Sequence, residues 1–291
     1  MRRVIDSTMF RVKGRCPADL SGYPTRIKPV YKSSAHYKEL LAEHIHCMRS
    51  YQQRLYASNK HSILLIFQAM DAAGKDGAIK HVMSGANPQG CRVSSFKPPS
   101  PTELRHDFLW RSSRSLPELG YIGIFNRSYY EDVLIARVHP ARLVGTHSPD
   151  SECQHSLFWE NRYDSIRAFE KHLHHNGARI IKIFLHISEA EQRKRLIARI
   201  ENPAKNWKFS SEDLEERKYW KQYMSAYENC FDATNTDISP WYIVPADDKK
   251  SARLLVSQIL CDALEPLNLT FPVPSEKRQK ELLKMKNELL E

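Results

Sequence analysis

The chain has 291 residues, 41% of them hydrophobic, which bounds it to one large α/β domain, or one domain with appendages, with a substantial core. The charge balance of 44 basic against 34 acidic residues, a net +10, favours polyanionic partners: nucleic acid, anionic membrane or phosphate chains. No run approaches the roughly 18 apolar residues of a membrane span, the start lacks a signal peptide's apolar stretch, and six scattered cysteines form no CxxC pair, so a cytoplasmic chain with reduced thiols is expected.

Residues 1–34 are rich in Pro, Gly, Lys and Arg and read as an irregular basic arm over the surface. From 35 to 56, Tyr37, Leu40, Leu41, Ile45, Met48 and Leu55 recur at helical spacing. Strands are predicted over 62–67, 92–96, 121–125, 179–187 and 241–244, with helical segments between most of them. This alternation predicts an α/β fold, a parallel sheet flanked by helices, over residues 35–270. Ligands in such folds bind at the carboxyl ends of the strands. The stretch 275–291 predicts a charged amphipathic helix carrying Leu282, Leu283, Met285 and Leu289, which packs either on its own domain or on a second copy.

The first strand runs into Ala69-Met-Asp-Ala-Ala-Gly-Lys-Asp-Gly77, with a helix expected over 78–84. Strand, glycine-lysine turn, then helix is the order of a phosphate-binding loop, in which backbone N–H groups face the anion and Lys75 neutralises it. Ala72, Ala73, Gly74, Lys75, Asp76 and Gly77 are the expected cradle. The usual loop has glycine where Ala69 stands, and Ser or Thr where Asp76 stands. A carboxylate thus replaces a Mg²⁺-ligating hydroxyl, and a second one, Asp71, lies inside the loop. Two carboxylates beside a phosphate repel it unless a cation intervenes, and Mg²⁺ binds through a few carboxylates plus phosphate oxygens.

A second apolar strand ends at Phe125, followed by Asn126, Arg127 and Ser128, then a helix from about Tyr129. If this strand neighbours the first, Arg127 becomes a bidentate phosphate clamp. Glu131 lies four residues after Arg127, so a helix puts both on one face and Glu131, rather than Asp132, toward a metal. The alternative is a first-turn carboxylate pair that stabilises the helix dipole.

After the strand ending near Ile187, Arg195 and Arg199 share a helical face. Pro203 then breaks the helix, and Lys205 and Lys208 flank Trp207 in a lid-like segment at about 200–220. Ser210 or Ser211 is placed to cap the next helix. A basic lid over a phosphate loop excludes water and holds donor phosphates. The plainer alternative is a solvated charged helix.

Six motifs in order now define a resemblance: Met70-Asp-Ala-Ala-Gly-Lys-Asp-Gly77, Ser84-Gly-Ala-Asn-Pro-Gln-Gly90, Phe96-Lys-Pro-Pro-Ser100, Asn126-Arg-Ser-Tyr-Tyr-Glu-Asp-Val133, Pro203-Ala-Lys-Asn-Trp-Lys-Phe-Ser210, and Pro240-Trp241 through Pro245-Ala-Asp247. Together they resemble the polyphosphate kinase 2 family over about 37–269, and the tyrosine pair before Glu-Asp looks closest to its class III branch. The resemblance implies a P-loop kinase fold like that of thymidylate kinases, with a helical lid. It implies Mg²⁺-dependent phosphoryl transfer (with Mn²⁺ as a substitute) between inorganic polyphosphate and purine nucleotides, phosphorylating AMP and ADP towards ATP. Carried over by position, Asp71, Asp76 and Glu131 match metal-associated carboxylates, and Lys75 matches the loop lysine. Arg127, Arg195 and Arg199 match phosphate-engaging positions, and Asn87 and Lys97 fall in segments of the nucleotide side. Asp71, Lys75 and Arg127 form the implied catalytic set, and Arg195, Arg199, Lys205 and Lys208 the polyphosphate path. A homo-oligomer, dimer or tetramer, is also implied.

Three departures stand out: Ala69 in place of glycine, Lys250 after Lys249 where an aromatic is common, and His139-Pro140-Ala141 without an acidic residue, before a polar segment to Ser156. Two rival readings are an ATP-dependent nucleoside monophosphate kinase and a non-catalytic polyanion or nucleic-acid binder. Asp71 and Asp76 argue against the first. The second lacks a recognisable RNA or DNA module, so no nucleic-acid partner and no membrane are expected.

Overall fold

The computed structural model describes residues 5–14, 19–140 and 156–291. The polar segment singled out above lies outside the described residues over 141–155, as do 1–4 and 15–18 of the arm. Five strands form one parallel sheet: β1 (Ser62–Ala69), β2 (Cys91–Ser95), β3 (Ile122–Asn126), β4 (Ala178–His186) and β5 (Trp241–Pro245). Their order is β2-β3-β1-β4-β5, so β1 is central. All five predicted strands form, with ends shifted by at most two residues.

The helices are α1 (Ser34–Ser58), α2 (Lys75–Val82), α3 (Trp110–Ser113), α4 (Glu131–Val138) and α5 (Ser156–His175). After them come α6 (Glu189–Ile200), α7 (Ser211–Arg217), α8 (Trp220–Thr234), α9 (Lys249–Leu264) and α10 (Glu276–Glu288). None of the described helices is long and apolar enough to cross a membrane.

Every residue of β1 is buried, because helices cover both faces of the sheet. Its side chains alternate between two cores. Ile63, Leu65 and Phe67 join Leu55, Ile79, Val82, Leu255 and Ile259 under α1, α2 and α9. Leu64 and Ile66 join Val133, Leu134, Tyr163, Ile166, Tyr227 and Phe231 under α4, α5 and α8. The buried face of α1 is less apolar than its spacing predicts. His44 and Gln52 are buried on it, where His44 meets the Ser257 hydroxyl at 2.7 Å and Gln52 donates to the Asn87 carbonyl at 2.8 Å.

A polar network sits inside the second core. Lys182, on β4, is fully buried, and its ammonium donates to Glu170 Oε2 (2.8 Å), the Tyr130 hydroxyl (3.1 Å) and the Thr234 carbonyl (2.7 Å). The hydroxyls of Tyr129 and Tyr130 donate to the other oxygen of Glu170 at 2.8 and 2.7 Å. Burial lowers the Lys182 pKa, with Glu170 opposing, and raises both tyrosines well above their ordinary value. A dry ion pair of this kind is tolerable only when fully hydrogen-bonded, as this one is.

The described part of the arm does more than cross the surface. Phe10, Val12 and Leu20 are buried, and the Val12 N–H donates to the Trp241 carbonyl at 2.9 Å. Arg11 forms an antiparallel bridge with Tyr242, which covers the exposed edge of β5. At the other terminus, α10 forms as predicted and none of its side chains is buried.

The Lys182–Glu170 pair predicts a specific stability pattern. Lys182→Met strands a buried carboxylate and destabilises the protein by about 3–5 kcal/mol. Lys182→Met combined with Glu170→Leu recovers much of that loss. Urea denaturation of the single and double variants checks it; equal losses in both would show that the pair's charge is not the issue.

Candidate active site

The phosphate loop begins where β1 ends. Its turn places Ala72 at φ 60° and Gly74 at φ 102°, both left-handed. Glycine adopts that backbone freely, while Ala72 holds it under strain of the kind found at functional sites. Ala69, by contrast, is an ordinary strand residue, so alanine there costs nothing. The helix starts earlier than predicted: Gly74 is the N-cap and Lys75 the first helical residue. Lys75 therefore turns back over the loop, where its ammonium donates to the Ala69 carbonyl at 2.8 Å. Enclosure lowers its pKa, and the carboxylates of Asp71, Glu131 and Asp76 oppose that.

β3 runs beside β1, with Phe67 level with Asn126. Arg127 follows at φ 64°, and its N–H donates to the Phe67 carbonyl at 3.1 Å. This turn aims its guanidinium at the loop, 3.2 Å from Asp71 Oδ1. Burial works against the Arg127 charge, but Glu131 and Asp71 outweigh it and raise its pKa. Asn126 donates to Asp76 Oδ1 at 2.9 Å, and Lys208 reaches Asp76 Oδ2 at 3.4 Å. Burial of Asp76 is outweighed by these contacts, so its pKa is lowered.

The first turn of α4 sends its carboxylates in different directions. Burial raises the Glu131 pKa, and the cations of Arg127 and Lys75 oppose it, so Glu131 faces the loop. Asp132 instead faces Arg111 at 3.8 Å and Arg162 at 3.9 Å, with burial pushing its pKa up to about 6.

Two cavities meet here. The larger, about 570 Å³, lies between the loop and the lid. Asp71, Lys75, Asp76, Lys97, Arg127, Arg199 and Lys208 line it with Trp207. Ser210 caps α7 and its N–H donates to Asp213 Oδ2 at 3.1 Å; Arg199 reaches the same oxygen at 3.4 Å. Trp207 is 73% exposed, an open-lid arrangement. The second cavity, about 140 Å³, is walled by Phe96, Leu104, Phe108 and Ile135, with Lys97, Arg111, Arg127 and Glu131 at its edge. It was missed in the sequence, whose only signal was the Pro- and aromatic-rich run after Phe96. Phe96, Lys97, Pro98 and Arg127 line both cavities.

Three expected residues lie outside the cavity walls. Arg195 does not line the phosphate path. It is 8% exposed, and its guanidinium donates to the carbonyls of Ala72 (3.3 Å), Ala73 (2.7 Å), Ala246 (2.6 Å) and Asp247 (3.1 Å), while Nε pairs with Glu191 at 2.8 Å. It holds the loop from behind. Gln192 assists, donating to the Asp71 carbonyl at 3.0 Å while accepting from Arg217 at 2.6 Å, a role without a sequence signal. Asn87 lies outside both cavities, where its side chain caps a short 3₁₀ turn by accepting from the Gln89 N–H at 3.0 Å. Lys205 is exposed beside the larger cavity rather than in its wall.

Arg195→Lys keeps the charge and loses the fork. Each charge-assisted bond lost costs about 1.5–3 kcal/mol, so melting temperature falls and turnover drops at least roughly tenfold, with the KM for the phosphate donor unchanged. A raised KM with an unchanged melting temperature would return Arg195 to the phosphate-binding set.

The sequence model for polyphosphate kinase 2 (PPK2) matches residues 31–272. The chain is 57% identical over 286 residues to an ADP-polyphosphate phosphotransferase of Rhodopseudomonas palustris, covering 98% of this chain and 99% of that one. It is 45% identical over 229 residues to an AMP/ADP-polyphosphate phosphotransferase of Meiothermus ruber, covering 79% and 81%. The crystal structure of polyphosphate kinase 2 from Arthrobacter aurescens TC1 superimposes with a TM-score of 0.86 at 38% identity, covering 98% of this chain and 99% of that one. With the phosphate loop, Arg127 and the lid in one cavity, the chain belongs to the polyphosphate kinase 2 family and has its P-loop kinase fold.

Proposed function

We propose that this protein transfers phosphoryl groups between inorganic polyphosphate and adenine nucleotides, phosphorylating ADP, and AMP as a second acceptor, towards ATP. The observation that carries this reading is the meeting of the two cavities at Arg127: a cationic one suited to a phosphate chain, and a smaller apolar one suited to a nucleobase. The relatives' names support the donor and both acceptors.

Phosphoryl transfer asks the protein mainly to position groups and balance charge. Lys75 and Arg127 neutralise the phosphoryl group in transit, and Lys97, Arg199 and Lys208 hold the remaining phosphates. Asp71 orients the attacking phosphate oxygen; no base is required, because that oxygen is already anionic. Lid closure brings Trp207 down and excludes water.

The carboxylates fit a magnesium ion, with manganese as a substitute. Among the described residues no group of three or more such side chains forms a ready cage. Asp71 and Asp76 nevertheless line one cavity, and Mg²⁺ binds through one or two carboxylates plus substrate phosphates. Asp71 and Asp76 would hold it, with Glu131 in the wall of the smaller cavity that Arg127 also lines. Bound there, the ion would offset negative charge on the substrate phosphates.

We also assign α10 as a contact between copies in a dimer or tetramer, because Leu282, Leu283, Met285, Leu289 and Leu290 are all exposed on it or just past it. Leu283→Glu then lowers the mass seen by light scattering, and an unchanged mass removes that assignment.

The deciding assay is ATP formation from ADP, and separately from AMP, with long-chain polyphosphate and Mg²⁺. Lys75→Ala lowers turnover by about 10²–10³-fold with little change in melting temperature. Retained turnover in that variant would exclude the role of Lys75. Transfer from ATP to AMP without any polyphosphate-dependent product would make the protein a nucleoside monophosphate kinase. Raising salt weakens the KM for polyphosphate more steeply than that for ADP, since more charges are screened; equal dependence would count against an extended cationic path.

A further inference from the structure

The larger cavity does not end the cationic surface. At the start of α9, Lys249 and Arg253 stand four residues apart, on one helical face. Arg253 lies over the first turn of α2: its Nη2 is 3.5 Å from where a side-chain carbon on Gly77 would sit. Gly77 leaves that space open, so the guanidinium rests against the helix that carries Lys75 and Asp76. Lys205, on the other side, precedes by three residues the Lys208 that lines the cavity.

Among the described residues, the side chains of Lys205, Lys249 and Arg253 have no hydrogen bond or ion pair. Lys249 sits among like charges: partial burial and the cations of Arg195, Lys205 and Arg253 lower its pKa. Glu191 opposes this, but its carboxylate is already bound to Arg195 at 2.8 Å. Like charges held together raise the free energy of the charged state until an anion joins them. The neighbouring Lys250 shows the contrast. It points away, donates to the Ser34 hydroxyl at 3.3 Å and lies over the rings of Tyr31 and Tyr37. The N-terminus of α9 is not itself the attraction, since Asp248 already accepts from the N–H groups of Lys250 and Ser251.

The geometry points to an outlying subsite, formed by Lys205, Lys249 and Arg253, that holds the phosphate chain of inorganic polyphosphate beyond the residues that react. This rests on polyphosphate being the donor. The chain leaves the phosphate loop around the first turn of α2 and crosses the face of α9. A short donor ends before it; a long one reaches it. The same cations could instead meet a nucleotide's phosphates, and the test separates the two.

The variant is Lys249→Ala with Arg253→Gln, and Lys250→Gln, which removes a single neighbouring charge, serves as the control. KM and kcat are measured for long-chain polyphosphate, for the shortest polyphosphate the wild type accepts, and for ADP. The expected result is a KM for the long donor raised about tenfold, as for loss of one or two phosphate contacts. Values for the short donor and ADP stay as in the wild type, which also reports an intact fold, and Lys250→Gln changes neither donor's KM. An equal rise for both donors, a rise for ADP alone, or an unchanged long-donor KM overturns the subsite. A wild type without polyphosphate-dependent product fails at the proposed donor itself, whereas length-independent use of polyphosphate fails only this inference.

Discussion

Arg127 reaches the phosphate loop because β3 is the hydrogen-bonded neighbour of β1. The pairing sets Phe67 level with Asn126, and the Arg127 N–H completes it by donating to the Phe67 carbonyl. With that bond made, the left-handed backbone at residue 127 turns the guanidinium toward Asp71 and sends the following tyrosines inward. Tyr129 and Tyr130 end on Glu170, which Lys182 holds from β4. The chemical face of the strand end and its buried anchor are thus two sides of one turn. Strain at residue 127 persists because both sides over-determine it.

The charges around the loop fall into two kinds. Arg195 is committed: four carbonyls and a carboxylate use its donors, and it braces the loop against the end of β5. Arg127, Arg199 and Lys208 hold carboxylates at 3.2–3.4 Å in partly exposed settings. Such pairs are worth little in water, so phosphate oxygens can displace them at small cost. Burial, more than residue type, separates bracing arginines from binding ones. The same logic sets Lys250, spent on Ser34 and two aromatic rings, apart from Lys249, which has no such partner among the described residues.

Local signals carried far along this chain. Strands covered by helices on both faces are mostly apolar, so 62–67 and 179–187 could be read directly, although 179–187 also carries Arg179, Lys182 and His186. Glycine and lysine after such a strand exposed the loop, and helical spacing exposed α1 and α10. Helical spacing from Arg127 singles out Glu131 over Asp132, but Arg127 is left-handed and α4 begins only at Glu131, so the turn, and not a shared helical face, sets where each carboxylate points.

By itself, then, the sequence determined the parallel α/β plan, the phosphate loop, the lid segment and the family, since each is written in neighbouring residues or in motifs kept in order. The tertiary structure alone decided the strand order, the apolar cavity after Phe96, the position of Asn87 beside Gln52, and which arginine of α6 faces inward. It also decided that Lys182, flanked by isoleucines in β4, is tied to a tyrosine 52 residues away. The physical reason is common to all of these. A charge or amide shows its type in the chain, but its free energy depends on burial and on partners supplied by distant elements, and those exist only after the sheet has closed and the helices have packed.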